Sequence, residues 1–134
     1  MDTNINSNRR GSICTNLYLQ EFDSSDKPGS GKNMDNDFLE MLDCAREEAQ
    51  IPFKINSGFR TEAKNKEIYR LLKKTPVRSS HLKGYAADIR CNDSHQRSII
   101  VRALINVGFT RLGISETFIH ADNDPDKADA IWLY

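Results

Sequence analysis

Apolar residues recur at helical spacing in three stretches of the chain and sit in short strand-like runs in five others. Phe38, Leu42, Ala45 and Ala49 fall at i, i+4, i+7 and i+11, which predicts a helix with one buried stripe. Asp35 or Asn36 caps its start, and Pro52 lies just past its end. A second helix is predicted from Thr61, its N-cap, to Lys74, with only Ile68, Leu71 and Leu72 as a stripe. Ile100, Ala103, Leu104 and Val107 give the face of a third, capped by Asp93 or Ser94 and closed by a left-handed Gly108. Strands are expected over Phe53–Asn56, Tyr85–Arg90, Thr110–Ile114, Thr117–Asp122 and Ile131–Tyr134. Leu17, Leu19 and Phe22 suggest a short strand or docking segment, and Asp23 to Lys32 reads as a loop from its Ser, Pro and Gly content. Helices that come first and mix with strands, followed by strands joined by short turns, predict an α+β domain with a mainly antiparallel sheet. Residues 1–15 are polar and read as a flexible arm, leaving 16–134 as a single domain.

Composition narrows the function. The chain has 134 residues, 19 Lys+Arg and 19 Asp+Glu, so its formal net charge is zero. That balance argues against nucleic acid as a partner, because duplex binding favours a basic face. The charges are nevertheless segregated: residues 60–78 hold seven bases against two acids, and residues 35–48 hold six acids against Arg46. Such runs are usually solvated helix faces, but the basic one could also attract an anionic polymer or a peptide carboxylate. The longest apolar run, Ala130 to Tyr134, is far short of the ~18 residues of a membrane span, so no membrane insertion is expected. MDTNINSNRR carries no apolar signal region, so synthesis in the cytoplasm without a signal peptide is the expectation. Cys14, Cys44 and Cys91 are scattered and form no C-x-x-C pair; they are expected as free thiols, with Cys44 and Cys91 in the core.

The chemistry concentrates in two segments. In Ser79-Ser80-His81-Leu82-Lys83-Gly84-Tyr85-Ala86-Ala87-Asp88, a histidine precedes a turn and an aspartate follows seven residues later in a strand. In Phe118-Ile119-His120-Ala121-Asp122, alternation puts Phe118, His120 and Asp122 on one face. His81, Asp88 and His120 make a two-histidine, one-carboxylate set, and three protein ligands with an open fourth position is how catalytic zinc is held. The plainer alternative is a pair of histidines that only satisfy buried hydrogen bonds.

Ser79, His81, Gly84, Ala86 and Asp88 match S-x-H-x-x-G-x-A-x-D, and the chain here resembles the zinc D-Ala-D-Ala carboxypeptidase family of peptidoglycan peptidases. That family includes phage endolysins that cut the L-alanyl-D-glutamate bond and shares its fold with the hedgehog signalling domain. Ser57-Gly58-Phe59-Arg60-Thr61, Gly108-Phe109-Thr110-Arg111-Leu112-Gly113-Ile114 and Phe118-Ile119-His120-Ala121-Asp122 are similar to further family elements in the same order. The resemblance runs from about Met34 to Tyr134. It implies one zinc per chain on His81, Asp88 and His120, where the metal would acidify water and polarise a carbonyl. It also implies Arg60 as a group for a substrate carboxylate or developing oxyanion. Ser79 and Ser80 either orient the ligands or substrate or cap a turn, the cap being the commoner use.

The general base departs from the family pattern. Many relatives carry an acid three residues before the last histidine ligand, where this chain has Thr117. Asp122 and Glu116 are the remaining candidates. Asp122 lies ~7 Å along the strand from His120, close enough to reach the metal's water or to orient His120 itself. Glu116 would lie about 13 Å away in an extended chain and needs a turn to fold it back.

The resemblance therefore implies a zinc metallopeptidase acting on peptidoglycan stem peptides, first as a D,D-carboxypeptidase. An L-alanyl-D-glutamate endopeptidase is the alternative, and a catalytically inactive zinc module that binds wall fragments or a protein partner is the rival from another class. A monomer is expected. A wall substrate without an export signal would be reconciled by phage holin-type release.

Overall fold

The computed structural model describes residues 17–134, so the arm expected over 1–15 and Cys14 lie outside the described residues. Helix α1 spans Asn36–Ala49, α2 Glu62–Leu71 and α3 Ser94–Asn106; the strands are β1 Ile55–Ser57, β2 Ala86–Arg90, β3 Arg111–Ile114, β4 Phe118–Asp122 and β5 Ala130–Leu133. The fold is α+β, as expected. One sheet of order β1-β2-β4-β3-β5 contains three antiparallel pairings, and β5 runs parallel to β3.

Local chemistry explains the helix ends. Asp35 accepts the Phe38 N–H at 2.9 Å, Thr61 that of Lys64 at 3.1 Å and Asp93 that of Gln96 at 2.8 Å, so each helix starts on a side-chain cap. The second helix stops three residues before the predicted Lys74. Lys73 enters the left-handed region (φ 55°) and the Lys74 N–H reaches back to the Tyr69 carbonyl, closing the last turn. Its Leu71 and Leu72 are exposed, so the weak stripe does not become core. Leu17 and Phe22 are buried as a docking segment, but through a 3₁₀ turn over Leu19–Phe22 rather than a strand.

The core lies between one face of the sheet and the α1–α3 pair. Phe38, Leu39 and Leu42 of α1 and Ile100 and Leu104 of α3 meet Ala87, Ile89, Leu112, Ile119 and Ala121 of the sheet in one buried cluster. Phe38 and Phe109 pack edge to face with centroids 5.7 Å apart. Cys91 is buried and Cys44 half-buried, both as free thiols. Burial fixes register. Each large apolar side chain contributes about 1.5–3 kcal/mol, and a one-residue slip of β4 would exchange Ile119 for His120 in the core. The opposite face of the same strands therefore carries the polar residues: Asp88 on β2, His120 and Asp122 on β4, and Arg111 on β3.

Candidate metal centre and its cleft

His81 is delivered by a tight turn. Ser79 accepts the His81 N–H at 3.2 Å and opens the 3₁₀ turn Ser80–Lys83, which ends at Gly84 with φ 78°. A Cβ on Gly84 would come within 2.9 Å of Met34 Cα and nearer still to the Asn33 carbonyl, so only glycine fits. Ser79 thus takes the capping role. Ser80 is buried and donates to Asp124 at 2.7 Å, while Lys83 binds Asp124 at 3.0 Å. Burial opposes the charge on Asp124, but its bonds to Ser80 and Lys83 outweigh that and hold its pKa at about 2.

Asp88 and His120 face each other directly across β2 and β4. His81 Nδ1 lies 2.8 Å from the Gly58 carbonyl oxygen, which only accepts, so this nitrogen carries the hydrogen and Nε2 offers its lone pair. That Nε2 is 3.4 Å from Asp88 Oδ1. His120 Nε2 lies 2.7 Å from Asp122 Oδ2, and its Nδ1 lies 2.9 Å from the same Asp88 oxygen. Donor atoms of His81, Asp88 and His120 all fall within 4.8 Å of one another. Two imidazole nitrogens converging on one carboxylate oxygen repel unless a cation, a proton or a metal ion, lies among them. The donor set suits a divalent metal held by nitrogen and oxygen.

Electrostatics agree. Burial penalises the Asp88 carboxylate, yet the imidazoles of His120 and His81 facing it overcome that and hold its pKa well below the usual range. Burial likewise opposes a charged His120, but Asp122 and Asp88 on its two nitrogens raise its pKa.

Asp122 stands behind His120 rather than in the cleft. Besides His120, it accepts Arg111 Nε at 2.7 Å and the Asp124 N–H at 3.2 Å, and it is 1 % exposed. Both its oxygens are engaged, Oδ2 by His120 and Oδ1 by Arg111 and the Asp124 N–H, a placement that fits orienting His120, one of the two roles open to it from sequence, better than a free base. Glu116 lies exposed in the β3–β4 turn, where its carbonyl accepts Arg97 at 2.9 Å; it does not line the cleft. The turn does not fold it back as the base role required.

A cleft of about 360 Å³ opens over the three donors, and Asp88 is the one carboxylate among the described residues that line it. Arg60 forms one wall. Its Nη1 donates to Asn65 at 3.1 Å and Nη2 to Ser57 at 3.4 Å, while its buried Nε has no partner among the described residues. Burial lowers the Arg60 pKa, with Asp88 as the main opposing charge. Tyr69 and Tyr134 line the same cleft. From sequence, Arg111, Trp132 and both tyrosines carry no site role, although Arg111 falls in the Gly108–Ile114 element. Strand parity was the available signal for Arg111, since it shares a face with Gly113, which lies opposite His120.

The sequence profile of the family described as Peptidase M15 matches residues 15–122. The chain belongs to the peptidase M15 family. Members of the M15 family are metallopeptidases, and the grouping of His81, Asp88 and His120 is a possible metal site in keeping with that membership. Among solved structures, the crystal structure of the Serratia marcescens L-Ala D-Glu endopeptidase ChiX is similar with a TM-score of 0.51 at 22 % identity. The match covers 57 % of this M15 chain and 62 % of the ChiX chain, and it concerns the fold. No curated protein sequence matches the chain at a significant level. Among the described residues no helix is long and apolar enough to cross a membrane.

Proposed function

We propose that this M15 chain is a zinc metallopeptidase that hydrolyses peptide bonds in peptidoglycan stem peptides, in the first place as a D,D-carboxypeptidase. The observation that carries the reading is the convergence of His81 Nε2, Asp88 and His120 Nδ1 beneath an open cleft walled by Arg60. Zinc bound there would supply a Lewis acid that polarises the scissile carbonyl and acidifies a water. The chain's own residues do the rest. Gly58 and Asp122 fix the two imidazoles in the tautomers that turn their lone pairs to the metal. Arg60, partly desolvated and with an unsatisfied Nε, grips a substrate carboxylate or the developing oxyanion. A cleft with one carboxylate against Arg60, Lys74, two phenols and Ser79 suits an anionic, carbonyl-rich peptide.

A second reading, cleavage of the L-alanyl-D-glutamate bond, draws support from the fold shared with the L-Ala D-Glu endopeptidase ChiX. Digestion of a defined stem pentapeptide by the zinc-loaded protein, followed by mass spectrometry, separates the two. Free D-Ala supports the carboxypeptidase; a cut after L-Ala supports the endopeptidase. An intact substrate beside one bound zinc per chain would refute the enzyme and leave a zinc-binding module.

A further inference from the structure

Four residues stand in one row across the sheet: Asp88 on β2, His120 on β4, Gly113 on β3 and Trp132 on β5. The third has no side chain, and that gap is filled from β5. A Cβ at Gly113 would come within 2.6 Å of Trp132 Nε1 and 2.7 Å of Tyr134 Cε2. The indole therefore lies over Gly113, with its centroid 5.3 Å from the His120 ring and the Arg111 guanidinium 5.0 Å from its own. Tyr134 continues the layer, 5.0 Å from Phe118 and 6.4 Å from Trp132 between centroids, and reaches the cleft that His81, Asp88 and His120 floor.

A phenol hydroxyl has one hydrogen to donate, and Tyr134 lines the cleft beside Asp88 and His120, so that hydrogen is available there. Arg60 follows β1 at one edge of the sheet and Tyr134 follows β5 at the other, yet both line the cleft over Asp88.

We propose that the Tyr134 hydroxyl donates a hydrogen bond to the scissile carbonyl oxygen of the substrate as charge develops on it, from the side of the cleft opposite Arg60. The role rests on the peptidase reading above. No bond to Tyr134 forms or breaks; the phenol keeps its proton and stabilises the oxyanion by position. Gly113 is the residue that makes room for it.

The test uses the full chain, zinc-loaded, as wild type and Tyr134→Phe, which keeps the ring on Phe118 and Trp132. Four quantities are read: zinc per chain, kcat and KM on the defined stem pentapeptide, and the Kd of phosphinate analogues of the two candidate bonds. The expected result is unchanged zinc, KM within about twofold, and kcat lower by about 100–1000-fold, with the tighter phosphinate also weakened. Unchanged kcat, a change confined to KM, or loss of zinc from Tyr134→Phe would each overturn the role. If wild type cuts no stem peptide, the peptidase reading fails by itself. Phosphinate binding then still decides the hydroxyl: a weaker Kd in the variant upholds it, and an equal Kd or no binding to either protein refutes it.

Discussion

Asp122→Asn tests whether the carboxylate behind His120 acts through the metal ligand or on the substrate. Asp122 accepts from His120 Nε2 and from Arg111 Nε, each at 2.7 Å, at a side chain 1 % exposed. Asparagine keeps the volume but has one acceptor oxygen. Either His120 or Arg111 then faces an N–H group, and a buried donor left unpaired costs about 1–3 kcal/mol. If the amide oxygen turns to Arg111, the His120 ring loses the contact that fixes its tautomer. Loss of such outer partners costs about 10–100-fold in metal affinity, or about 1.4–2.7 kcal/mol. The chain has a single tryptophan, and Trp132 lies 5.3 Å from the His120 ring, so its emission follows occupancy of the site. Zinc titration against a competing chelator, read by that emission, should show the variant weaker by this factor, with a lower urea midpoint. Zinc affinity within twofold of wild type would refute the orienting role. Were turnover lost at the same time, Asp122 would belong to the chemistry of the substrate.

Zinc affinity should climb as pH rises through the raised folded pKa of His120, by up to about tenfold per unit, because the proton that Asp122 and Asp88 favour on His120 must leave before Nδ1 can bind metal; a flat profile in a buffered competition assay would contradict that. The metal-free protein should respond in the opposite sense. The raised His120 pKa gives stability that is fully present below about 6.5 and is lost as pH rises through the folded value, whereas the depressed Asp124 gives stability present above about 4 and lost as pH falls through about 2; urea midpoints against pH would show both flanks. Gly84→Ala should cost at least about 1–3 kcal/mol from the left-handed backbone alone, with added strain against Met34 and Asn33, and should lower zinc stoichiometry by disturbing the turn that carries His81. An unfolding midpoint equal to wild type would show that the turn yields freely.

Short-range chemistry was legible in the sequence, and long-range pairing was not. Thr61 caps α2 as expected, and Asp35 and Asp93 are the ones of the paired candidates Asp35 or Asn36 and Asp93 or Ser94 that cap α1 and α3, because a cap depends on residues within one turn. Alternation placed Asp88 and His120 on polar strand faces, although their direct opposition depends on how β2 and β4 pair. The parallel course of β5 beside β3, which brings Trp132 over Gly113, depends on a pairing that no local pattern encodes. The end of α2 was misplaced because a lysine, not a glycine, takes the left-handed position at residue 73. Asp122 shows the limit most plainly. Parity put it beside His120, but its engagement with Arg111 decides which way its oxygens turn.

The order of the strands has an evolutionary and practical consequence. His120 and Asp88 stand on interior strands, each paired on both sides, whereas Arg60 and Tyr134 follow the two edge strands. Shifting an interior strand would disturb two neighbours at once, while an edge has one neighbour and tolerates changes in length and sequence. The architecture thus separates a conservative centre from an adjustable periphery. Variants with a new bond preference are best sought by diversifying the segments after β1 and around β5, with β2 and β4 left as they are.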